Sequence, residues 1–199
     1  MNEYIDKLNS TDRSIRRSTI TSIFESTDLK SHEKEDLLIQ GLKDSHDSVR
    51  SLSVDFLIEI CSQTESKREI SKLLFDQCVN EKIWTVRYLI LKKIIKLKNI
   101  DLSIHRYDLI KLSFDLKPQV RIASAELLMK LSHESQDDSV VQRLIDLWKD
   151  KDESVRAKLI ILLQESKNPK IKTFMKEYKA KLTEKENKRK EMAGLFDGI

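Results

Sequence analysis

The sequence predicts an all-α fold built from repeated helix pairs, and three observations indicate it. Only three Gly and two Pro occur among 199 residues, too few turn-forming residues for a sandwich or barrel. Hydrophobic residues make up 39% of the chain, which is enough at this length to bury one sizeable core. One short pattern also recurs five times at nearly constant spacing, as expected for a solenoid of helix pairs.

The recurring pattern is a β-branched residue followed by arginine. Successive copies are spaced 34, 37, 34 and 35 residues apart. An acid stands five residues before the β-branched position in every copy except the first, which has Ser10 there. The pairs are Ile15-Arg16, Val49-Arg50, Val86-Arg87, Val120-Arg121 and Val155-Arg156, and the acids are Asp44, Glu81, Asp115 and Asp150.

Each copy continues as an amphipathic helix. Counted from the β-branched residue, apolar or small residues recur at +3, +4, +7, +8 and +11, which is one stripe of an α-helix. Ser, Asp or Thr stands just ahead of each copy, and Pro118 occupies a first-turn position, so helix starts are marked chemically. The copies are predicted to be the second helices of the pairs, and the stretches between them the first helices.

These segments resemble HEAT repeats, helix-hairpin units in which an acid precedes a Val-Arg pair by five residues. The likeness covers residues 1–166. It implies a right-handed α-solenoid of about five repeats whose second helices line a concave face. It also implies a ladder in which the acid and arginine of neighbouring repeats pair, so the arginines are expected to be structural. The polar first copy is expected to be an N-terminal cap.

Three segments are predicted along the chain: a HEAT-like repeat domain at 1–166, a capping helix and basic arm at 167–190, and a C-terminal tail at 191–199. Asn168 and Pro169 favour a helix start, and Gly194 is expected to interrupt the helix. The apolar stripe expected to cover the end of the stack is Ile171, Phe174, Met175, Tyr178 and Leu182.

The basic arm accounts for the net positive charge of the chain. Residues 167–191 contain ten basic and four acidic side chains, whereas residues 1–166 contain 27 and 28. Such a segment is either a solvated helix end or a surface that attracts an acidic partner or a nucleic-acid backbone.

A DNA glycosylase built from helical repeats is the main enzymatic alternative. That class needs a basic groove and a carboxylate beside aromatic side chains. Trp84 is the aromatic candidate, but Tyr88 occupies the position one turn later where a carboxylate would share its face. The repeat domain also lacks the net positive charge expected of a duplex-binding surface. Trp84 is therefore either a packing residue or part of a binding surface.

Metal and cofactor chemistry finds little support in the sequence. The HEAT-like di-iron deoxyhypusine hydroxylases need four His-Glu pairs, and this chain has two, His32-Glu33 and His133-Glu134, at different repeat phases. Phycobilin lyases use similar repeats, but no residue identifies a pigment pocket. We expect no metal and no cofactor. The two cysteines, Cys61 and Cys78, are expected to be buried thiols.

No apolar run approaches the roughly 18 residues that span a bilayer, and the first residues do not form a signal peptide. A soluble cytoplasmic protein without membrane contact is predicted.

The C-terminal tail, "EMAGLFDGI", is apolar after a stretch that is almost entirely charged. It resembles the tail peptides by which replication proteins dock on sliding clamps, where a Leu-Phe pair enters a hydrophobic pocket. The glutamine that usually precedes that pair is absent here. The tail is therefore either inert or a docking peptide, with a sliding clamp among the candidate partners.

The function expected from the sequence is a non-catalytic scaffold or adaptor that binds a protein partner through the groove and the tail. The alternative is a DNA-binding or glycosylase-type repair protein, with nucleic acid contacted through the basic arm. The candidate binding residues are Leu195, Phe196, Ile199, Met192, Trp84 and Tyr88.

Overall fold

The structure is a computed structural model that describes residues 1–63, 67–97, 100–135 and 137–196, without the side chains at 63, 67 and 190–196. Within these ranges the chain forms eleven α-helices and no β-strand, which confirms the all-α prediction. The helices are α1 (Asn2–Leu8), α2 (Arg13–Glu25), α3 (Ser31–Gly41), α4 (Asp47–Gln63), α5 (Lys67–Asn80), α6 (Trp84–Ile94), α7 (Arg106–Leu112), α8 (Pro118–Glu134), α9 (Asp138–Leu147), α10 (Glu153–Glu165) and α11 (Pro169–Phe196). A 3₁₀ turn, Ser103–His105, precedes α7.

The chain divides into two compact units, residues 1–127 and 128–199. The first unit contains α1 to α7 and the beginning of α8. Within it, α2, α4 and α6 pack side by side, and each also packs on the helix that precedes it. Helices α1 and α3 pack together, as do α5 and α7. This arrangement is the predicted row of helix pairs.

The buried faces of the helices follow the stripe predicted from the repeat. In α8 all six predicted positions are buried, namely Val120, Ala123, Ser124, Leu127, Leu128 and Leu131. Burying a Val or Leu side chain contributes about 1.5–3 kcal/mol relative to leaving it in water. Phe24 of α2 stacks on Phe56 of α4, with ring centroids 4.2 Å apart. Repetition of this stripe in successive helices produces the core.

Several helix starts are fixed by the capping residues that the sequence indicated, but α6 of the third copy begins after Ile83, which provides no side-chain cap. The Asp12 and Asp152 carboxylates accept hydrogen bonds from the backbone N–H groups of Ser14 and Ser154, at 2.7 and 2.9 Å. The side-chain oxygen of Asn168 accepts one from the Lys170 N–H at 3.0 Å, just ahead of α11. Each bond satisfies a donor that the helix itself leaves unpaired.

In the second unit, α11 packs on α9 and α10. Ile171 and Met175 are buried, and the Trp148 ring meets those of Phe174 and Tyr178 edge-on, at centroid distances of 6.0 and 4.3 Å. These contacts come from the predicted stripe as far as Tyr178.

Two expectations about α11 were wrong. Leu182 is 42% exposed, so the packed stripe ends one turn earlier than predicted. Gly194 does not interrupt the helix, which continues to Phe196. A single interior Gly costs about 1 kcal/mol relative to Ala, and neighbouring helix formers such as Ala193 and Leu195 are enough to continue the helix.

Gly41, at the end of α3, permits a close approach between three helices. A Cβ atom at this position would lie 2.1 Å from the Ser53 Oγ of α4 and 2.6 Å from the Ile20 Cδ1 of α2. Both distances are far below normal van der Waals contact, so the absence of a side chain is required here.

We predict that Gly41→Ala lowers the free energy of unfolding by about 1–3 kcal/mol because it overpacks this contact. The sign is informative, since Ala inside a helix normally gains up to about 1 kcal/mol over Gly. Urea unfolding followed by circular dichroism measures the change. Gln40→Ala is the matched control, because Gln40 is the exposed neighbour on the same helix. A Gly41→Ala protein as stable as the wild type would contradict the close packing.

Candidate functional site

The recurring arginines connect each repeat to the next one in the first unit. Each guanidinium donates two hydrogen bonds to one carboxylate, through Nε and Nη2, at 2.6–3.0 Å. The side chains are largely buried, from 2% to 14% exposed. The predicted ladder is therefore confirmed for three pairs, Arg16–Asp44, Arg50–Glu81 and Arg87–Asp115.

The remaining guanidinium nitrogen binds the backbone of the turn before its own helix. Arg50 Nη1 donates to the carbonyl oxygens of Asp44 and Ser45 at 2.9 and 3.1 Å, and Arg87 Nη1 donates to those of Glu81 and Lys82 at 2.8 and 3.0 Å. Charge-assisted bonds of this kind are among the strongest in proteins. These guanidinium groups serve the fold and are not a ligand site, as the sequence predicted.

The ladder lowers the pKa values of two of its acids. Burial alone would raise the pKa of Asp44 and Glu81, but the hydrogen bonds from Arg16 and Arg50 and from backbone N–H groups outweigh it and lower both pKa values. The hydrogen bond from Arg50 to Glu81 in turn raises the pKa of Arg50. Since the folded pKa of each acid is depressed, its stabilising contribution is present above its unfolded pKa, near 4, and is lost as the pH falls through the folded pKa.

The aromatic candidates Trp84 and Tyr88 lie one turn apart at the start of α6, and both are half-buried. Among the side chains that the structure describes, no aromatic ring contact joins either ring to another. The other second helices have no aromatic residue at these two positions. Their residues are Arg13 and Arg17 in α2, Asp47 and Ser51 in α4, Pro118 and Ile122 in α8, and Glu153 and Ala157 in α10.

Two acids that contact α6 are held in ion pairs. Lys93 Nζ lies 2.5 Å from the Asp55 Oδ1 of α4, and Lys92 Nζ lies 2.8 Å from the Glu126 Oε2 of α8. A glycosylase would need one such carboxylate beside the aromatic pair, available for proton transfer. Carboxylates bound to lysines are poor candidates for that role.

His133 and the two cysteines are used by the fold. The His133 Nε2 atom accepts a hydrogen bond from the Lys167 N–H at 3.2 Å, just before α11. Both cysteines are buried, and burial raises the pKa of the Cys78 thiol, so that group stays protonated and unreactive. Among the described residues, no three His, Cys, Asp or Glu side chains lie close enough to hold a metal ion.

An open cavity of about 630 Å³ lies against α2. The sequence predicts this polar first copy only as a cap and does not predict the cavity. Its lining consists of two arginines and five hydroxyl residues, namely Arg13, Arg17, Ser14, Ser18, Thr21, Ser22 and Ser48. Arg13 is engaged, because its Nη1 lies 2.8 Å from the His46 Nε2.

An exposed apolar set around α7 was also not predicted from the sequence. Tyr107 is 74%, Phe114 65% and Leu116 84% exposed. A comparison of Phe114 and Leu116 with the same positions of the other repeats would have revealed them, since all of those are polar.

The tail residues are only partly described. Met192, Leu195 and Phe196 lie within α11, but their side chains are outside the description, and Ile199 lies outside the described residues. A docking role for these residues stays a prediction. No described helix combines the length and apolar character needed to cross a membrane.

Comparison with known proteins shows similarity at the level of fold. No family model matches the chain, and no curated protein matches its sequence. Among solved structures, the complex of CpcE and CpcF of phycocyanin lyase from Nostoc sp. PCC7120 is similar with 16% identity and a TM-score of 0.54, over 81% of this chain and 96% of the matched chain. An engineered protein is similar with 14% identity and a TM-score of 0.54, over 81% and 76%. The fold is a helical solenoid.

We predict that Glu81→Gln lowers the free energy of unfolding at pH 7 by about 3 kcal/mol, because Arg50 is then left as a buried charge without a counterion. The deficit relative to the wild type should shrink as the pH falls through the acid range, where the wild-type Glu81 itself becomes protonated. Urea unfolding at pH 7 and in the acid range measures both effects.

Glu184→Gln is the matched control for this prediction. Glu184 pairs with Lys188 at 2.6 Å on an exposed surface, and such pairs contribute about 0–1 kcal/mol. A deficit for Glu81→Gln that is small, or equal at both pH values, would contradict a stabilising role for the ladder.

Proposed function

We propose that the chain is a non-catalytic protein-binding scaffold or adaptor of the cytoplasm, built from HEAT-type repeats. The observation that supports it is the Trp84–Tyr88 pair, two half-buried aromatic side chains at the start of α6. Aromatic residues with an apolar body and a polar tip are the usual anchors of protein interfaces.

The repeat fold itself does not require this pair. Helix packing uses the aliphatic stripe and the arginine ladder, and the four other second helices do without aromatic residues at the same positions. Large side chains that packing does not explain are candidates for recognition. A partner lying along the row of second helices in the first unit would meet both rings one helical turn apart.

The comparison with solved structures supports this proposal through the fold alone. The phycocyanin lyase structure is a complex of two proteins, CpcE and CpcF. A helical solenoid of this kind can therefore be part of a protein assembly. Since one fold hosts many functions, the likeness does not extend to substrate or reaction.

We propose the C-terminal tail as a second contact, with Leu195 and Phe196 as its anchors and Met192 and Ile199 beside them. The basic arm would then tether a weak docking peptide close to the scaffold, and the two contacts together would bind more tightly than either alone. A sliding clamp is one candidate partner, because the Leu-Phe pair resembles clamp-docking peptides.

Nucleic acid is a second candidate partner, favoured by the exposed basic residues of α11. They include Lys185, Lys188 and Arg189, which lie within residues 183–199. A row of this kind attracts phosphate backbones without sequence preference.

We predict that Trp84→Glu with Tyr88→Ala weakens partner capture and leaves the fold intact. The new residues are those that α10 has at the equivalent positions, Glu153 and Ala157. Capture from a lysate of the source cells, quantified by mass spectrometry, measures binding, and the melting temperature checks folding. Thr85→Ala is the matched control, since Thr85 is exposed on the same turn. A set of captured proteins that is the same for the variant and the wild type would refute the role of the α6 pair.

We predict that Leu195→Ala with Phe196→Ala also weakens capture, without lowering the melting temperature. Leu182→Ala is the control, because Leu182 is an exposed apolar residue on the same helix. Unaltered capture, or a large fall in melting temperature, would show that these two residues are not a docking peptide.

Duplex DNA tests the nucleic-acid candidate. If the arm contacts phosphates, binding measured by fluorescence anisotropy should weaken steeply with salt and should disappear when residues 183–199 are deleted. Binding that survives the deletion would instead place the contact on the repeats, as the glycosylase alternative requires.

A further inference from the structure

A set of exposed apolar residues lies on and around α7, the first helix of the fourth repeat, apart from the α6 pair. Leu116 is 84% exposed, Tyr107 74%, Phe114 65% and Ile104 41%. Single exposed apolar residues are normal on protein surfaces, whereas a cluster of them indicates an interaction site. Four such residues within positions 104–117 are a cluster in sequence.

Tyr107 lies on α7, and the other three residues lie in the turns that flank this helix. Ile104, Tyr107 and Phe114 are separated by three and seven residues, with Lys111 between the last two. Tyr107 and Lys111, which are four residues apart within α7, share one face of that helix. Leu116 follows in the turn that leads to α8.

The other repeats show that the fold does not need apolar residues here. Counted from the β-branched residue of each repeat, the positions of Phe114 and Leu116 are polar in all four other copies. The counterparts of Phe114 are Asn9, Lys43, Asn80 and Lys149, and those of Leu116 are Thr11, Ser45, Lys82 and Lys151. Only the fourth repeat exposes two large apolar side chains at this turn, so the fold alone does not account for them.

The turn that presents them is rigidly held. Asp115, between Phe114 and Leu116, pairs with Arg87 at 2.6 Å and accepts a hydrogen bond from the Lys117 N–H at 2.8 Å. Arg121 Nη1 donates to the carbonyl oxygens of Asp115 and Leu116 at 2.8 and 3.2 Å. Because the backbone is already fixed, a partner would lose little conformational entropy in binding to it.

The exposed charges nearest in sequence to Tyr107, Phe114 and Leu116 are basic, whereas the exposed Asp101 precedes Ile104. Lys111 and Lys117 are exposed, and the Arg106 guanidinium lies 4.3 Å from the centre of the Tyr107 ring. The acids within positions 104–117 are less accessible, since Asp108 is half-buried and Asp115 is paired with Arg87. A partner with negative charges beside its apolar residues fits this surface best.

We propose that Ile104, Tyr107, Phe114 and Leu116 form a docking patch for a short acidic amphipathic segment of another protein. The segment places aliphatic or aromatic side chains on the patch and Asp or Glu residues near Lys111 and Lys117. The apolar contacts provide most of the affinity, and the lysines select acidic partners and accelerate association. This inference does not rest on the α6 pair and would stand if that pair had no partner.

Selection from a library of random 12-residue peptides displayed on phage tests the proposal on the full chain. The matched variant, Phe114→Lys with Leu116→Lys, installs the residues found at Lys149 and Lys151 and should fold normally. Peptides enriched on the wild type are expected to combine Asp or Glu with Leu, Phe or Trp and to bind the variant at least tenfold more weakly. Lys111→Glu with Lys117→Glu should weaken binding of the same peptides at low salt. Peptides selected anew on this variant should contain fewer Asp and Glu residues.

Several outcomes would overturn the proposal. These are a selection without enriched peptides, enriched peptides that lack acidic residues, and peptides that bind the lysine variant equally well. If the enriched peptides instead lose affinity for the Trp84→Glu, Tyr88→Ala protein, they bind at α6. That result would support the proposed function and contradict the docking patch. Sedimentation velocity tests whether a second copy of this chain occupies the patch. A dimer that forms with the wild type but not with the Phe114→Lys, Leu116→Lys variant would assign the patch to self-association.

Discussion

The arginine–acid pair between neighbouring repeats is the interaction on which the first unit depends. Each guanidinium binds the turn before its own helix and the acid of the following repeat, so one side chain fixes both a local turn and the distance to the next pair. Buried charges are costly unless all their hydrogen bonds are made. The near-constant spacing of the repeats follows, because an arginine displaced along its helix would lose both sets of bonds.

The packing role of the ladder indicates which positions of each repeat can hold binding residues. The ladder and the aliphatic stripe do the packing, so the positions outside them vary from repeat to repeat without loss of fold. The position of Trp84, for example, is Arg, Asp, Pro or Glu in the other second helices. In a repeat protein the informative residues are therefore those that depart from the repeat, and the fourth copy's Phe114 and Leu116 are the most exposed instance.

The properties that the sequence predicted correctly are those set by local chemistry or by the repeat. The helix pairs, the ladder and the buried cysteines all follow from spacing. The two errors, at Leu182 and Gly194, concern properties that depend on other parts of the chain as well as on the local sequence. Leu182 continues the stripe in sequence, but its burial depends on where α9 and α10 end. Gly194 has a low helix propensity, yet helix growth is cooperative and depends on the neighbouring residues as well.

The candidate site was predictable to a similar degree. Trp84 and Tyr88 stand out in the sequence by residue type, whereas the exposure of Tyr107 could not be derived from it. An apolar residue in a first helix is expected to be buried, as Leu109 is, and only the packing of the neighbouring helices decides which face is covered.

One ladder pair connects the two proposed surfaces directly. Arg87 precedes Tyr88 on α6, and its partner Asp115 lies between Phe114 and Leu116. The pair is largely buried and bidentate, with contacts of 2.6 and 3.0 Å. Such a connection holds the two surfaces at a fixed separation. The relative position of two partners bound at these surfaces would therefore be set by the scaffold, which is the property that the proposed adaptor requires.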